Sequence, residues 1–228
     1  MSSRPLRLAY IGFALLGSAV LGAYVYDARH PTAPPAAPRV ALTAPGAQAL
    51  APVMPAVTPA VTLKDLDGKP HALADWKGKA LVINFWATWC APCRREIPLL
   101  NRIERDYGAK SVEVVGIAVD FADDVRAFTK EFPVRYPLLI GEDDGLEAAR
   151  AFGVTTLAFP FTAFTDRQGR LITLHVGELH PGQAEAILGI IARIDAGELT
   201  PESARPKLEA ALSALPTPAE PGATHGAG

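Results

Sequence analysis

The two cysteines of this 228-residue chain stand in one short motif, Trp89-Cys90-Ala91-Pro92-Cys93. Sulfurs three positions apart can close and reopen a disulfide. The motif follows the continuous apolar run Ala80-Leu-Val-Ile-Asn-Phe-Trp-Ala and opens an amphipathic stretch. A C-x-x-C between a buried strand and a helix reads as a redox pair. At a helix start, unsatisfied N–H groups and the positive dipole end favour thiolate over thiol, so Cys90 is the expected nucleophile. Cys93, one turn further in, is the expected resolving thiol that breaks a mixed disulfide. A structural staple is the weaker reading, because so small a loop removes little chain entropy. A zinc half-site needs two more ligands, and the five histidines show no paired spacing.

Flanking elements must hold this pair. Val61 to Pro70 reads as a strand ending in an Asp67-Gly68 turn, and Ala80 to Ala87 as a strand buried on both faces. Ile97, Leu100, Ile103 and Tyr107 recur at helical spacing, giving a helix from about Cys90 to Gly108 that Pro98 should kink. Val112 to Val119 is a second buried strand, and Asp123 to Phe132 a helix stopped by Pro133. Further strands are expected at Tyr136 to Ile140, Phe161 to Thr165 and Leu171 to Val176. Further helices are expected at Gly145 to Phe152 and Gln183 to Ile194. This order defines an α/β sandwich around a mixed sheet.

Composition divides the chain into four parts: 1–28, 29–59, 60–196 and 197–228. Leu8 to Tyr26 is nineteen residues without a charge. As a helix it would run about 28 Å, close to a bilayer's hydrocarbon thickness. Arg4 and Arg7 before it place the N-terminus inside and everything after residue 30 outside. Candidate cleavage sites ending at Ala23 or Ala28 put Leu21 or Tyr26 at the −3 position, so a retained transmembrane anchor is the expectation. Arg29 to Pro59 holds eight prolines and no apolar period, which predicts an extended spacer. After Gly197 the chain is again Pro- and Ala-rich, with a short helical stripe at Leu208, Leu212 and Leu215. Four arginines and one aspartate give residues 1–59 a charge of +3, leaving −5 for the rest of a chain whose total is −2. That balance excludes a strongly basic nucleic-acid binder.

Several separated motifs carry a family resemblance: LVINFWAT before WCAPCRREIP, the hairpin LKDLDGKPHALADWKGK, Glu96 three residues after Cys93, and FPFTAFTDRQGRL with Pro160 six residues before Asp166. Over Val61 to Ile194 the chain resembles the thioredoxin-like thiol–disulfide oxidoreductases of the bacterial cell envelope, in particular the TlpA/ResA/CcmG family. The resemblance implies a thioredoxin-like fold, a central mixed β-sheet flanked by helices, behind an N-terminal transmembrane helix. It implies a cis peptide between Phe159 and Pro160 facing the cysteines, where exposed backbone can bind an extended partner. Phe159 departs from the small or β-branched residue many members carry, and Val154 to Ala158 lacks a glycine often found there.

For Glu96 the spacing alone leaves a buried proton shuttle and a solvated carboxylate equally open; the resemblance implies the shuttle. Trp89 is expected at the rim of the substrate site with Phe159 and Pro160, and Trp86 either at that rim or in the core. His71, His175 and His180 are expected as surface or internally satisfied residues. No cofactor is expected beyond the Cys90–Cys93 disulfide. Ala91-Pro92 places no charge between the cysteines, which favours a reductant or a middling potential over a strong oxidant. The partners the resemblance implies are disulfide-bearing envelope proteins, either apocytochrome c or copper-site assembly proteins, and a DsbD/CcdA-type membrane electron donor. Two other functions fit a cysteine pair: a Cu(I) metallochaperone, without a nearby His or Met pair here, and a thiol peroxidase, without a separate peroxidatic loop.

Overall fold

The computed structural model describes residues 54–108, 111–154 and 158–216. The expected anchor at 8–26, most of the spacer and the end of the C-terminal tail lie outside the described residues. Among the described residues no helix is long and apolar enough to cross a membrane.

Seven strands form one mixed sheet. In chain order they are β1 (Thr62–Lys64), β2 (Pro70–Ala72), β3 (Ala80–Trp86), β4 (Val112–Ala118), β5 (Leu138–Ile140), β6 (Phe161–Thr165) and β7 (Leu171–Val176). Their order across the sheet is β2-β1-β5-β4-β3-β6-β7. The central pair β3 and β4 is parallel, in register from Ala80 opposite Val112 to Trp86 opposite Ala118. Both strands are buried throughout, Asn84 and Glu113 included, as largely apolar runs at the centre of a sheet covered on both faces. β6 joins β3 antiparallel and continues into a hairpin with β7.

Helices α1 (Ala91–Tyr107), α2 (Ala122–Glu131), α3 (Asp143–Ala151), α4 (Pro181–Asp195) and α5 (Pro201–Ser213) cover the sheet. On one face Val82, Val114 and Phe164 pack with Leu100 and Ile103 of α1 and Ile187 and Ile191 of α4. On the other, Ile83, Phe85, Val115 and Ile117 pack with Ala148 and Ala149 of α3. This alternation follows the period of two along each strand.

Three local expectations change. The strand expected from Val61 is shorter, Thr62–Lys64, because the Asp65 carboxylate accepts from Asp67 N and Lys69 N, each at 2.9 Å, and opens the turn early, so that Pro70–Ala72 returns as β2. The end of the Pro-rich spacer joins the domain: Thr58 N donates to Gly169 O at 2.8 Å, and Leu171 N to Ala56 O at 3.0 Å. Leu208 and Leu212 of the expected stripe lie on the thirteen-residue helix α5, whose Ala204 and Leu208 are buried against the α4 cluster, while Leu215 lies beyond its end. Thr200 caps it, and Pro201 sits in its first turn, where a missing N–H is harmless.

Gly116 on β4 lies directly beside Asn84 on β3. A Cβ added there would meet Tyr136 Cε2 at 2.8 Å and Leu138 Cδ1 at 3.1 Å. Replacing Gly116 by Ala will therefore destabilise the protein by about 1–3 kcal/mol through overpacking. Urea denaturation checks this; an unchanged midpoint would show that the Tyr136 ring moves aside freely.

Candidate active site

β3 delivers the chain to the motif, and α1 begins on it. Cys90 is the N-cap of α1, in extended conformation at φ −82° and ψ 104°. Its sulfur accepts from Cys93 N at 3.3 Å, so the side chain itself serves one of the free N–H groups of the helix start. The sulfurs are joined in a disulfide with Cα atoms 5.3 Å apart. Cys90 keeps 4% of its surface exposed and Cys93 none. The outer sulfur is thus the one a partner reaches. The helix end stabilises a negative charge there when the bond is reduced.

The segment before the motif is held from two sides. Asp120, after β4, accepts from Thr88 N at 3.0 Å and from Thr88 Oγ1 at 2.6 Å. Arg94 Nε donates to Thr88 O at 2.8 Å, and its guanidinium lies over the rings of Phe128 on α2 and of Phe132 just after it. Arg95 turns outward to Glu178.

Glu96 is buried, with 1% of its surface exposed. Its Oε1 accepts from Asn84 Nδ2 and its Oε2 from Leu179 N, both at 2.7 Å. Burial pushes its carboxyl up to about 7, against the lowering effect of those two donors; the charge of Glu178 adds to the rise. Asn84 Nδ2 also donates to Thr162 Oγ1 at 3.0 Å, while Asn84 Oδ1 has no hydrogen-bond partner among the described residues. The solvated alternative for Glu96 does not hold. The carboxyl lies inside α1 one turn beyond Cys93, able to carry a proton near neutral pH.

The peptide between Phe159 and Pro160 is cis. Pro160 is buried, and its carbonyl accepts from Gly177 N at 2.8 Å. Phe159 packs against the cluster that contains both cysteines, and its ring centroid lies 6.1 Å from that of Trp89. Trp89 is 67% exposed, whereas Trp86 is fully buried and belongs to the core. The histidines are occupied elsewhere: His71 pairs with Asp65, His175 with the Glu178 carbonyl, and His180 starts α4. The site therefore gathers Cys90, Cys93, Glu96, Trp89, Phe159 and Pro160. Asn84, Leu179, Thr88 and Asp120 were not singled out by sequence; their roles come from contacts between distant segments.

A disulfide at a helix start on a mixed sheet, with a cis proline beside it, defines a thioredoxin-like thiol–disulfide oxidoreductase. The chain belongs to the Redoxin family, whose model matches residues 53–188. It is 36% identical over 131 residues to the thiol-disulfide oxidoreductase ResA of Bacillus thuringiensis subsp. konkukian, covering 57% of this chain and 73% of that protein. It is 33% identical over 138 residues to the thioredoxin-like protein YneN of Bacillus subtilis, covering 58% and 76%. Among solved structures it resembles a putative thiol:disulfide interchange protein DsbE from Chlorobium tepidum, with a TM-score of 0.55 and 27% identity over 62% of this chain and 96% of that one. A putative thioredoxin from Neisseria meningitidis gives a TM-score of 0.53 and 29% identity over 61% and 92%.

Proposed function

We propose that this oxidoreductase works as a membrane-anchored reductase of protein disulfides in the bacterial periplasm, held at the inner membrane by residues 8–26. The observation that carries the reductase reading is the buried, protonatable Glu96 one turn behind a disulfide whose outer sulfur caps α1. In the reduced protein the Cys90 thiolate attacks one sulfur of a substrate disulfide, and the other substrate sulfur leaves as thiolate. Cys93 then gives its proton to the Glu96 carboxylate and attacks Cys90 Sγ. The second substrate thiolate departs and takes up a proton. Two electrons have passed to the substrate, and the Cys90–Cys93 disulfide remains.

A dithiol donor must reduce it again. Outside the membrane, a DsbD/CcdA-type transporter fits that need. Apocytochrome c or copper-site assembly proteins fit as substrates. The uncharged segment at 8–26 and the Pro-rich spacer support tethering beside such a donor.

Equilibration with glutathione buffers tests the direction. The expected potential lies below about −200 mV; a value near the −120 mV of a strong oxidant would reverse the assignment. Alkaline extraction of membranes tests the anchor: the full chain should stay in the pellet, and its release would remove the anchor from the proposal.

A further inference from the structure

We propose that Phe121 extends the substrate surface. With Trp89 and Phe159 it forms an apolar ledge beside the Cys90–Cys93 disulfide that receives an apolar side chain two residues from the target cysteine of an extended peptide. The inference rests on the exchange chemistry described above.

The sheet order supplies the first argument. β4, β3, β6 and β7 are neighbours, and the segments at their site end carry Phe121, Trp89, Phe159 and Val176 in that order. Five large apolar side chains are exposed among the described residues, and three of them lie at this end: Trp89 (67%), Phe121 (59%) and Val176 (60%). Apolar surface gathered beside a reactive centre marks contact with a partner.

Thr88 and Asp120 supply the second. Their two hydrogen bonds tie the residue before Trp89 to the residue before Phe121. Phe121 N also donates to its neighbour's Asp120 Oδ1 at 2.9 Å. The two aromatic residues therefore sit on loops held together.

Local structure gives no reason for phenylalanine here. Phe121 is the N-cap of α2, at φ −69° and ψ 137°, and makes no side-chain cap bond. Ser, Thr, Asp or Asn would cap the helix and would not expose a ring. A locally unfavourable residue at an exposed position beside the reactive centre points to a binding role.

The occupant follows from the geometry. Only 4% of Cys90 is exposed, so a substrate sulfur reaches it with its own backbone laid over the neighbouring loops. In an extended peptide, residues i and i+2 face the same side, about 7 Å apart. With the cysteine turned to the disulfide, the side chain two positions away faces the same surface. It lies within reach of the next loop, one strand spacing of about 4.8 Å across.

Single-cysteine peptides carrying thionitrobenzoate on the cysteine test this with the full-length protein, reduced beforehand. The Cys90 thiolate attacks the peptide sulfur and expels coloured thionitrobenzoate. One peptide has Leu two residues from the cysteine on both sides, the other Ser. The wild type should react about tenfold faster with the Leu peptide, equivalent to about 1.4 kcal/mol. In Phe121→Ser the ratio should fall to about two, and Phe121→Leu should keep most of it. Taking the ratio within one protein cancels any change in Cys90 itself. Equal rates in the wild type, or a tenfold ratio that survives in Phe121→Ser, overturn the ledge. Release of chromophore from neither peptide overturns the exchange reading itself, and the ledge with it.

Discussion

Replacing Cys93 by serine will stop turnover while leaving the first exchange intact. Cys90 is the sulfur with exposed surface and the cap of α1; Cys93 is fully enclosed. Without Cys93 nothing inside the site can break the bond between Cys90 and the substrate. Disulfide reduction should fall by at least about a thousandfold, on the scale of losing an activated nucleophile from a site whose residues act as a unit. A covalent adduct should accumulate, visible by mass and removed by dithiothreitol. Cys90→Ser should lose both turnover and adduct. Expressed in its native cells, the Cys93→Ser chain would also name its partners. A cytochrome-maturation protein caught on Cys90 favours one proposed branch, a copper-centre assembly protein the other. If Cys93→Ser forms no adduct although Cys90 is alkylated readily, the order of attack assigned here is wrong.

Glu96→Gln will change both stability and the second half of the reaction. In the oxidised protein the Glu96 carboxyl is raised from 4.5 to about 7. The folded state then keeps a proton that the unfolded chain gives up. Stability from this group is complete below pH ~4.5 and is lost as pH rises through ~7; at about 1.36 kcal/mol per unit the loss is roughly 3 kcal/mol. Glutamine carries no charge, so the variant should be nearly flat over that window and more stable than wild type at pH 8. Its oxygen can still accept from Leu179 N. Its amide can donate to Asn84 if the Asn84 side chain turns over, bringing its unpartnered Oδ1 inward. Urea midpoints at pH 4.5, 6 and 8 measure the effect; parallel curves for the two proteins would remove the charge argument. With no carboxylate to take the Cys93 proton, release of substrate from the mixed disulfide should slow by about a hundredfold near pH 7.

The elements beside the cysteines were legible because each rests on a local pattern. Largely apolar runs mark β3 and β4, and the spacing of Ile97, Leu100 and Ile103 marks α1. The helix runs from Ala91 to Tyr107 with Pro98 inside it. The cis Phe159–Pro160 peptide was expected from resemblance alone and is present. Burial of Glu96 could not be read locally, since one of its donors, Leu179, lies 83 positions away. Asn84 was hidden inside an apolar run, and Asp120 makes its bonds to Thr88 across 32 positions. Pro-rich composition hides the ordered segment before β1 and all but the apolar stripe of α5. Prolines in the first turns of α5 and in 54–59 are compatible with ordered packing, because the neighbours supply the backbone bonds that count.

The point where the described chain joins the domain has a further consequence. Ala56 and Thr58 are fixed beside Gly169 and Leu171, next to the turn that closes the β6–β7 hairpin. β6 runs from Phe161, next to Pro160, to that turn, so the cysteines lie at the opposite pole of the sheet. The tether proposed above would thus be attached at the pole opposite the disulfide. Attachment and reactive sulfur are separated by about the length of a seven-residue strand, some 23 Å.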